Sequence, residues 1–558
     1  MKIQSILPCS NTYIAPTFEA KPKLKARDFV RPQKVKKTYA YRDFLNYSPT
    51  KKLFEGYKTK YTIPVHNQGI LERMKSTYTP EEFENLFDFA KSKGTFDYTL
   101  DSQKGTIKTS EINRKENPLM SDLIWVTDTC HNIELAKQKH PEECTKLYNR
   151  LAEFYEGQKP NFEKVFASPE KYRENKQWES GFGVGHVFVP KTNKEQPWFP
   201  KTRLESLGNY LSTGCDLINE GFKGAEYGYK TVDDVPQQVI DSMINIVKYL
   251  DILDYPNAPS CGAWEEGTFQ KSLTSDTAIV NEGMRKIIKL VFEPTENQEL
   301  IKLRERFISS ENGELFNDKA AVETLLKKGE KRIEQNHFTE SSSADYELEA
   351  EWQRKFYSRN NDSAMTFAIQ TENFNAENPV TDALAKIGTL KELEKNLVKE
   401  NGANRYLNDD YLNLDFHTLR EEGIYNKYKN EAEWFLVSEY AKAYGSIANN
   451  MMDEIVENGN TSQKQKILDY ALAKQTEYIN RSYARITPKN MTKANGYSCP
   501  AYKLPETYTA VTTKKGIKYV PGAHTPLIWA ETSLDSASRQ FLDNLKKRER
   551  LVDGKVLS

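Results

Sequence analysis

The chain has 558 residues, and its 79 Lys and Arg residues balance 79 Asp and Glu residues to give a formal net charge of zero. Because a neutral balance gives no long-range attraction toward phosphate backbones, the composition argues against a nucleic-acid partner and suits an uncharged ligand. The sequence shows neither a secretory signal pattern nor an apolar segment of membrane-spanning length, so we expect a cytoplasmic protein without a membrane partner.

The N-terminal part of the chain divides into two predicted regions. Residues 1–48 are basic, contain several prolines and lack an apolar period, which predicts a flexible basic tail. Whether this tail binds a partner stays open. Residues 49–115 are predicted to be an extension with irregular segments and one firm helix. That helix should begin after Thr79, where Pro80 and Glu82 form a capping-box pattern, and end at Gly94.

Helical periodicity dominates the sequence beyond residue 119. Strand-like pieces are short and lie at 184–189 and 507–512. The pattern therefore predicts an all-α domain over residues 116–548. The predicted helical segments are 130–155, 204–219, 236–254, 275–291, 297–308, 322–336, 347–357, 433–449, 462–485 and 526–548.

The six cysteines are spread thinly along the chain, unlike a disulfide framework. Cys130, His131, His140 and Cys144 are close in sequence, but their spacing matches no common zinc pattern and a helix would spread them around its axis. We therefore expect neither a metal site nor a cofactor.

The tripeptide Trp264-Glu265-Glu266 carries the clearest chemical signal. An aromatic ring packs well on the C–H face of a sugar. One carboxyl can protonate a glycosidic oxygen while its neighbour holds hydroxyls. The structural alternative is an ordinary pair of surface glutamates beside a half-buried tryptophan. Other segments of the chain decide between these interpretations.

Four segments follow one another in a recognisable order. Trp125-Val-Thr-Asp128 comes first, a segment beginning at Arg203 is second, Trp264-Glu265-Glu266 is third, and Glu506 followed by a helix with Trp529 is fourth. Over residues 105–541 this order resembles the glucoamylases of glycoside hydrolase family fifteen and the related regulatory chains of phosphorylase kinase. The resemblance implies an (α/α)6 toroid, the six-hairpin glycosidase fold, with six inner and six outer helices.

The resemblance also implies catalytic roles. Glu265 corresponds to the general acid, and Glu266 corresponds to a hydroxyl ligand on the leaving-group side. An acid must be protonated near neutral pH, so we expect burial beside Trp264 and repulsion from Glu266 to raise the pKa of Glu265. Glu506 matches the loop that bears the base. Glu531 is the alternative base, although a carboxylate in the first turn of a helix more often interacts with the helix dipole.

The remaining predicted site residues bind the sugar. Trp125 and Asp128 match family positions that hold the terminal sugar, while Thr127 stands where the family has an arginine. Threonine cannot replace the charge or the bidentate hydrogen bonds of arginine. Arg203 from the neighbouring helix is therefore a candidate for that role. Trp264 and Trp529 complete the predicted set, and core packing is the alternative role for Trp529.

These assignments give one leading hypothesis and two alternatives. The leading hypothesis is an inverting glycoside hydrolase that releases glucose from an oligosaccharide or another α-glucoside. The first alternative, from another class, is a non-catalytic carbohydrate-binding or regulatory protein. The second is an enzyme specific for a different glucoside. Protein partners stay open.

Overall fold

The computed structural model describes residues 63–101, 103–110, 123–174, 183–197, 199, 203–265, 273–338, 362–406, 409, 432–513 and 516–552. The predicted tail 1–48 and the predicted helix 347–357 lie outside the described residues, as does Glu266.

The described chain is mainly helical, with short strands between the helices. The α-helices are α1 (Gln68–Leu71), α2 (Pro80–Ser92), α3 (Val126–Lys139), α4 (Cys144–Gly157), α5 (Lys159–Ala167), α6 (Pro169–Glu174), α7 (Leu204–Gly221), α8 (Gln237–Leu253), α9 (Thr274–Phe292), α10 (Gln298–Ser309), α11 (Lys319–Phe338), α12 (Met365–Thr371), α13 (Pro379–Leu397), α14 (Val437–Asn458), α15 (Ser462–Ala484) and α16 (Ile528–Val552). The strands are β1 (Leu100–Asp101), β2 (Thr106–Ile107), β3 (Ile124–Trp125), β4 (Val187–Val189), β5 (Lys194–Glu195), β6 (Glu433–Trp434), β7 (Met491–Thr492), β8 (Ser498–Cys499), β9 (Thr507–Thr513) and β10 (Gly516–Pro521).

Helices α3, α7, α9, α12, α14 and α16 form a closed inner ring. Each packs against the next, and α16 packs back against α3. Helices α2, α4, α8, α11, α13 and α15 alternate with them along the chain and pack on the outside of the ring. Buried apolar faces on both layers form one continuous hydrophobic core. The prediction of an all-α (α/α)6 toroid is therefore confirmed.

Helices α7 and α9 pack closely where Gly208 and Gly283 meet. A Cβ atom at Gly208 would lie 2.6 Å from the carbonyl oxygen of Ile279, and one at Gly283 would lie 2.7 Å from the carbonyl oxygen of Gly208. Side chains at either position would separate the two backbones. Glycine therefore sets the distance between α7 and α9.

The N-terminal extension packs into the same core as the toroid. Thr79 and Glu82 form the predicted capping box of α2, which confirms that helix start. Phe83 of this helix lies edge-on to Phe541, with ring centroids 4.7 Å apart. Further along, Ser110 forms an isolated β-bridge with Leu527, just before α16.

Two predicted helices have different boundaries in the structure. The segment 130–155 was predicted as one helix, but α3 and α4 are separated because Pro141 starts a short 3-10 turn, Pro141–Glu143. The segment 433–449 was predicted to be helical from its start. There, β6 instead pairs with β9, and α14 begins only at Val437. Periodicity also missed the short helices α1, α5, α6 and α12 and the longer α13.

The small sheets lie where inner helices begin. Strand β3 leads directly into α3 and pairs with β4, which in turn pairs with β5. Strand β6 precedes α14 and pairs with β9, and the β9–β10 hairpin precedes α16. These pairings connect the loops at one end of the ring. Among the helices described, none combines the length and apolar character needed to cross a membrane.

Candidate active site

The predicted site residues come from the N-terminal ends of inner helices. Trp125 and Asp128 lie at the start of α3, and Arg203 directly precedes α7. Glu265 lies in the loop before α9, Glu506 in the loop before β9, and Trp529 in the first turn of α16. Since all these helices belong to one ring, segments that are far apart in sequence meet at one end of it.

The loop that carries Glu265 is a tight turn. Gly262 has φ +72°, and Glu265 has φ +62°, a left-handed conformation that costs a non-glycine residue about 1–3 kcal/mol. The hydroxyl of Ser260 accepts hydrogen bonds from the amides of Leu204 and Gly262 and donates to Asp276. The turn is therefore tied to the starts of both α7 and α9.

Two side chains hold the Glu265 carboxylate at the same oxygen. Its Oε1 lies 2.7 Å from Nε2 of His186 and accepts a hydrogen bond of 2.8 Å from Nη1 of Arg203. The side chain of Glu265 is 19% exposed, whereas that of His186 is 1% exposed. Within the described residues Oε2 has no hydrogen-bond partner. One oxygen is thus fixed by the protein, and the other remains available to a ligand.

The prediction that the pKa of Glu265 is raised is wrong. Burial does raise the pKa of this carboxyl, but the hydrogen bond and charge of His186, together with those of Arg203, outweigh burial and lower the pKa below its ordinary value. Neither partner lies in the Trp-Glu-Glu segment from which a raised pKa was predicted. Glu265 is therefore ionised at neutral pH in this conformation.

His186 is placed by the small sheet beside α3. Its carbonyl oxygen accepts a hydrogen bond of 2.9 Å from the amide of Val126, next to the pairing of Trp125 with Val187. Nδ1 of the ring is buried, and no described protein group is its hydrogen-bond partner. With Glu265 ionised, Nε2 of His186 is the donor to the carboxylate, because a carboxylate can only accept.

The Arg203 side chain is buried, with 3% of it exposed. Besides Glu265, its guanidinium donates to the carbonyl oxygen of Ala263 at 2.8 Å and forms an ion pair with Glu205 at 2.6 Å. Thr127 lies behind this pair, fully buried, and its hydroxyl is 3.2 Å from Glu205 and 2.8 Å from Ser206. The cation near Asp128 therefore comes from the start of α7, while the Thr127 side chain does not line the site.

Glu506 is held by a histidine of its own. Its Oε2 lies 2.7 Å from Nδ1 of His524, and its backbone amide donates to the carbonyl oxygen of His524. Its carbonyl oxygen accepts from the amide of Phe435, next to β6. The Glu506 side chain is 17% exposed, and Oε1 has no hydrogen-bond partner among the described residues. Glu506 thus resembles Glu265 in having one fixed and one accessible carboxylate oxygen.

Glu531, the alternative base, has a different environment. It is fully buried in the first turn of α16, and its carboxylate forms an ion pair with Lys503 at 3.4 Å. A buried carboxylate that neutralises a lysine has no accessible oxygen for a water molecule. The geometry therefore favours Glu506 over Glu531 as the candidate base.

Asp128 is within electrostatic reach of both candidate catalytic carboxylates. Burial raises the pKa of Asp128 to about 8; the charge of Arg203 opposes this rise, and the charges of Glu265 and Glu506 add to it. The Asp128 carboxyl is therefore mostly protonated at neutral pH. In that form it can donate a hydrogen bond to a sugar hydroxyl as well as accept one.

Aromatic side chains surround these carboxyls. Trp264 donates from Nε1 to Asp362 at 2.8 Å, which fixes its ring beside the Glu265 turn. Trp125 lies edge-on to Phe199, at 5.5 Å between ring centroids. Trp125 and Trp264 are each 7% exposed, so only a small part of either ring is open to a ligand.

Trp529 packs inside the ring on two neighbours. It stacks on His131 with ring centroids 5.0 Å apart and lies edge-on to Phe435 at 5.1 Å. Burial lowers the pKa of His131 to about 3, so this imidazole is neutral. These contacts support the core-packing role of Trp529, while the sugar-contact role stays a prediction.

The cluster Cys130, His131, His140 and Cys144 does not form a metal site in the described part of the chain, where no group of metal-ligating side chains gathers. His131 is stacked on Trp529, and His140 lies at the far end of α3 from the site.

Three further side chains at this end of the ring carry no signal in the sequence. His186 and His524 pair with the two carboxylates, and the guanidinium of Arg405 lies 4.2 Å from the ring centroid of Trp434 and 6.0 Å from that of Trp264. Arg405 is itself held by Asp409. A lone histidine or arginine in a loop carries no periodic signal, so only the tertiary structure reveals these contacts.

The fold is similar to that of solved glycosidase structures. No protein-family model matches the chain, and no curated protein sequence matches it. Among solved structures, glucoamylase from Saccharomycopsis fibuligera is similar with a TM-score of 0.51 and 11% identity, over 84% of this chain and 99% of that chain. A wild-type glycosidase and a glycosidase in complex with glucose each give a TM-score of 0.48 at 12% identity, over 84% of this chain and 100% of theirs. At this identity the similarity shows a glucoamylase-like fold, and the assignment of the fold rests on the first of these structures.

Proposed function

We propose that this protein is an inverting glycoside hydrolase that releases glucose from an α-glucoside or oligosaccharide. The observation that carries the proposal is the matched arrangement of Glu265 and Glu506. Each carboxylate has one oxygen held by a histidine and one oxygen without a described partner, and both act electrostatically on Asp128. The glucoamylase-like fold supports the same assignment.

The proposed reaction needs two carboxyl groups in different protonation states. Protonated Glu265 gives its proton to the glycosidic oxygen as the bond from that oxygen to the anomeric carbon breaks. Glu506 takes a proton from a water molecule, and the water oxygen bonds to the anomeric carbon from the opposite face. An α-glucoside then yields β-glucose, and proton transfer through solvent returns both carboxyl groups to their starting states.

Sugar recognition is assigned to residues around these two groups. Asp128 exchanges hydrogen bonds with hydroxyl groups of the terminal sugar, and the exposed edges of Trp125 and Trp264 contact its C–H faces. Glu266 stays the predicted hydroxyl ligand on the leaving-group side. Arg203 contributes through Glu265 and its positive charge rather than through direct sugar contact, because its guanidinium is buried and both Nη1 and Nη2 donate to protein acceptors.

One observation favours the non-catalytic alternative. His186 and Arg203 lower the pKa of Glu265, and an ionised carboxylate has no proton to donate. In a carbohydrate-binding or regulatory protein, an ionised Glu265 would simply accept hydrogen bonds from sugar hydroxyls. The two functions differ in turnover, so a direct assay separates them.

The deciding experiment is proton NMR of the purified protein with maltotriose and a panel of α-glucosides, recorded before mutarotation. We expect β-glucose to appear first and to disappear in Glu265→Gln and in Glu506→Gln. Glu457→Gln, an exposed change near the C-terminal end of α14, is the matched control and should keep full activity. Sugar binding without glucose release by any substrate, at any pH from 4 to 8, would support the binding protein instead.

A further inference from the structure

We propose that His186 is a positioning residue that, together with Arg203, fixes the conformation of Glu265 and sets the upper end of the pH range in which the site is active. This inference rests on the proposed function for its kinetic consequence. The contact itself can be tested without turnover.

The first support is the shared acceptor. His186 and Arg203 both reach Oε1 of Glu265, from the small sheet beside α3 and from the start of α7, respectively. Since both partners contact Oε1 of Glu265, Oε2 stays accessible to a ligand. The pair therefore orients the carboxyl group as well as binding it.

The second support is the backbone of the Glu265 turn. Glu265 is a non-glycine residue with φ +62°, a conformation that persists only where surrounding contacts enforce it. The side-chain contacts with His186 and Arg203 and the bond from Arg203 to the carbonyl of Ala263 supply that enforcement. Loss of His186 removes one of the contacts that hold the turn.

The third support is the charge surrounding Glu265. His186 and Arg203 face the carboxylate directly, Asp128 acts on it from α3, and Glu205 balances Arg203 from α7. Arg203 remains cationic at every accessible pH. His186 contacts the carboxylate through Nε2, and its buried Nδ1 has no hydrogen-bond partner among the described residues. Removing His186 therefore removes stabilisation of the ionised carboxylate without adding a charge.

The kinetic test compares His186→Met and His186→Gln. Methionine removes the donor, whereas the amide of glutamine can replace Nε2–H without an imidazole. With maltotriose, we expect the upper limb of the profile of kcat/KM against pH to move upward by about one pH unit or more in His186→Met and by less in His186→Gln. His140→Gln, at the opposite end of α3, is the matched control. A uniform loss of kcat/KM at every pH, without a shift, would overturn the proposal.

The second test follows the carboxyl group directly. Infrared spectra of protein with 13C-labelled glutamate, recorded against pH, contain a protonated-carboxyl band that Glu265→Gln removes. We expect the midpoint of that band to lie below the ordinary glutamate range and to rise in His186→Met. If His186→Met does not fold, His186→Gln must still give a smaller rise, and equal midpoints in wild type and variant overturn the proposal. A shifted midpoint in a protein without turnover would refute the proposed function alone.

Discussion

The two candidate catalytic glutamates, Glu265 and Glu506, each pair with a histidine, but the charges around them differ. Glu506 pairs with His524, and Glu265 pairs with His186, each at 2.7 Å. Of these two carboxylates, only that of Glu265 also accepts a hydrogen bond from a guanidinium of the described residues, that of Arg203. A histidine donor suits a base, which must be ionised, whereas a histidine and an arginine together oppose the protonation that an acid needs. The comparison shows that similar hydrogen bonds do not assign roles; the net charge around each carboxylate does.

The difference has a consequence for the conditions of catalysis. Glu265 must gain its proton either from a more acidic solution or from the loss of hydration when a sugar covers the site, since desolvation raises carboxyl pKa values. We therefore expect maximal turnover on the acidic side of neutrality. The following four predictions test the contrast between the two sides.

The largest expected effect comes from removing the base. Glu506→Gln keeps the shape of the side chain but cannot take a proton from water, so kcat with maltotriose should fall by about 10²–10⁴-fold while glucose binding is retained. Glucose release and isothermal titration with glucose measure the two quantities.

The comparison variant for this test is Glu531→Gln. Because Glu531 is buried against Lys503, this change should lower the melting temperature with much less effect on kcat of the folded protein. The reverse pattern, with turnover lost in Glu531→Gln and kept in Glu506→Gln, would move the base to α16.

The next effect concerns the leaving group. Maltotriose needs a proton from Glu265, whereas fluoride leaves with little assistance from an acid. The fall of kcat/KM above the pKa of Glu265 should therefore be steep for maltotriose and weak for α-glucosyl fluoride. Initial rates of both substrates across pH 4–8 measure the ratio. Parallel profiles would show that the ionisation of Glu265 does not limit the reaction.

A smaller effect concerns Asp128, which lies within reach of both sides. Below about pH 4 the Asp128 carboxyl is protonated in both the folded and the unfolded chain. Above about pH 4 it ionises in the unfolded chain, where its pKa is about 3.9, but stays protonated in the folded chain, where its pKa is about 8. The Asp128 contribution to stability is therefore full below about pH 4 and decreases as the pH rises to about 8. Asp128→Asn, which resembles the protonated form, should melt like wild type near pH 4 and at a higher temperature near pH 8. Thermal melts across this range measure the difference, and an equal difference at both pH values would contradict the shifted pKa.

The smallest effect concerns Thr127, behind the Glu265 side. An arginine there meets a fully buried space already occupied by Glu205 and Ser206, so Thr127→Arg should lower the free energy of unfolding by about 1–3 kcal/mol without increasing the affinity for maltooligosaccharides. Urea unfolding and isothermal titration test both parts, with Thr127→Ser as the matched control. A gain in affinity would mean that the side chain at residue 127 reaches the ligand.

The sequence by itself determined the helical architecture and the segments that build the site. Periodicity predicted most of the inner and outer helices, because an amphipathic helix repeats its apolar face every three or four residues. Capping-box chemistry located the start of α2, and the order of motifs indicated the glucoamylase-like toroid. Each of these signals depends on residues that are close together in the sequence, so the sequence alone is enough to show it.

Only the tertiary structure decided the electrostatics of the site. His186 is 79 residues from Glu265, and Arg203 is 62 residues away, so no local pattern shows that both contact one carboxylate oxygen. The sequence indicated a raised pKa because it revealed only Trp264 and Glu266 as neighbours. Charge interactions depend on distance in space and on burial, and both are fixed only when the inner helices close into a ring.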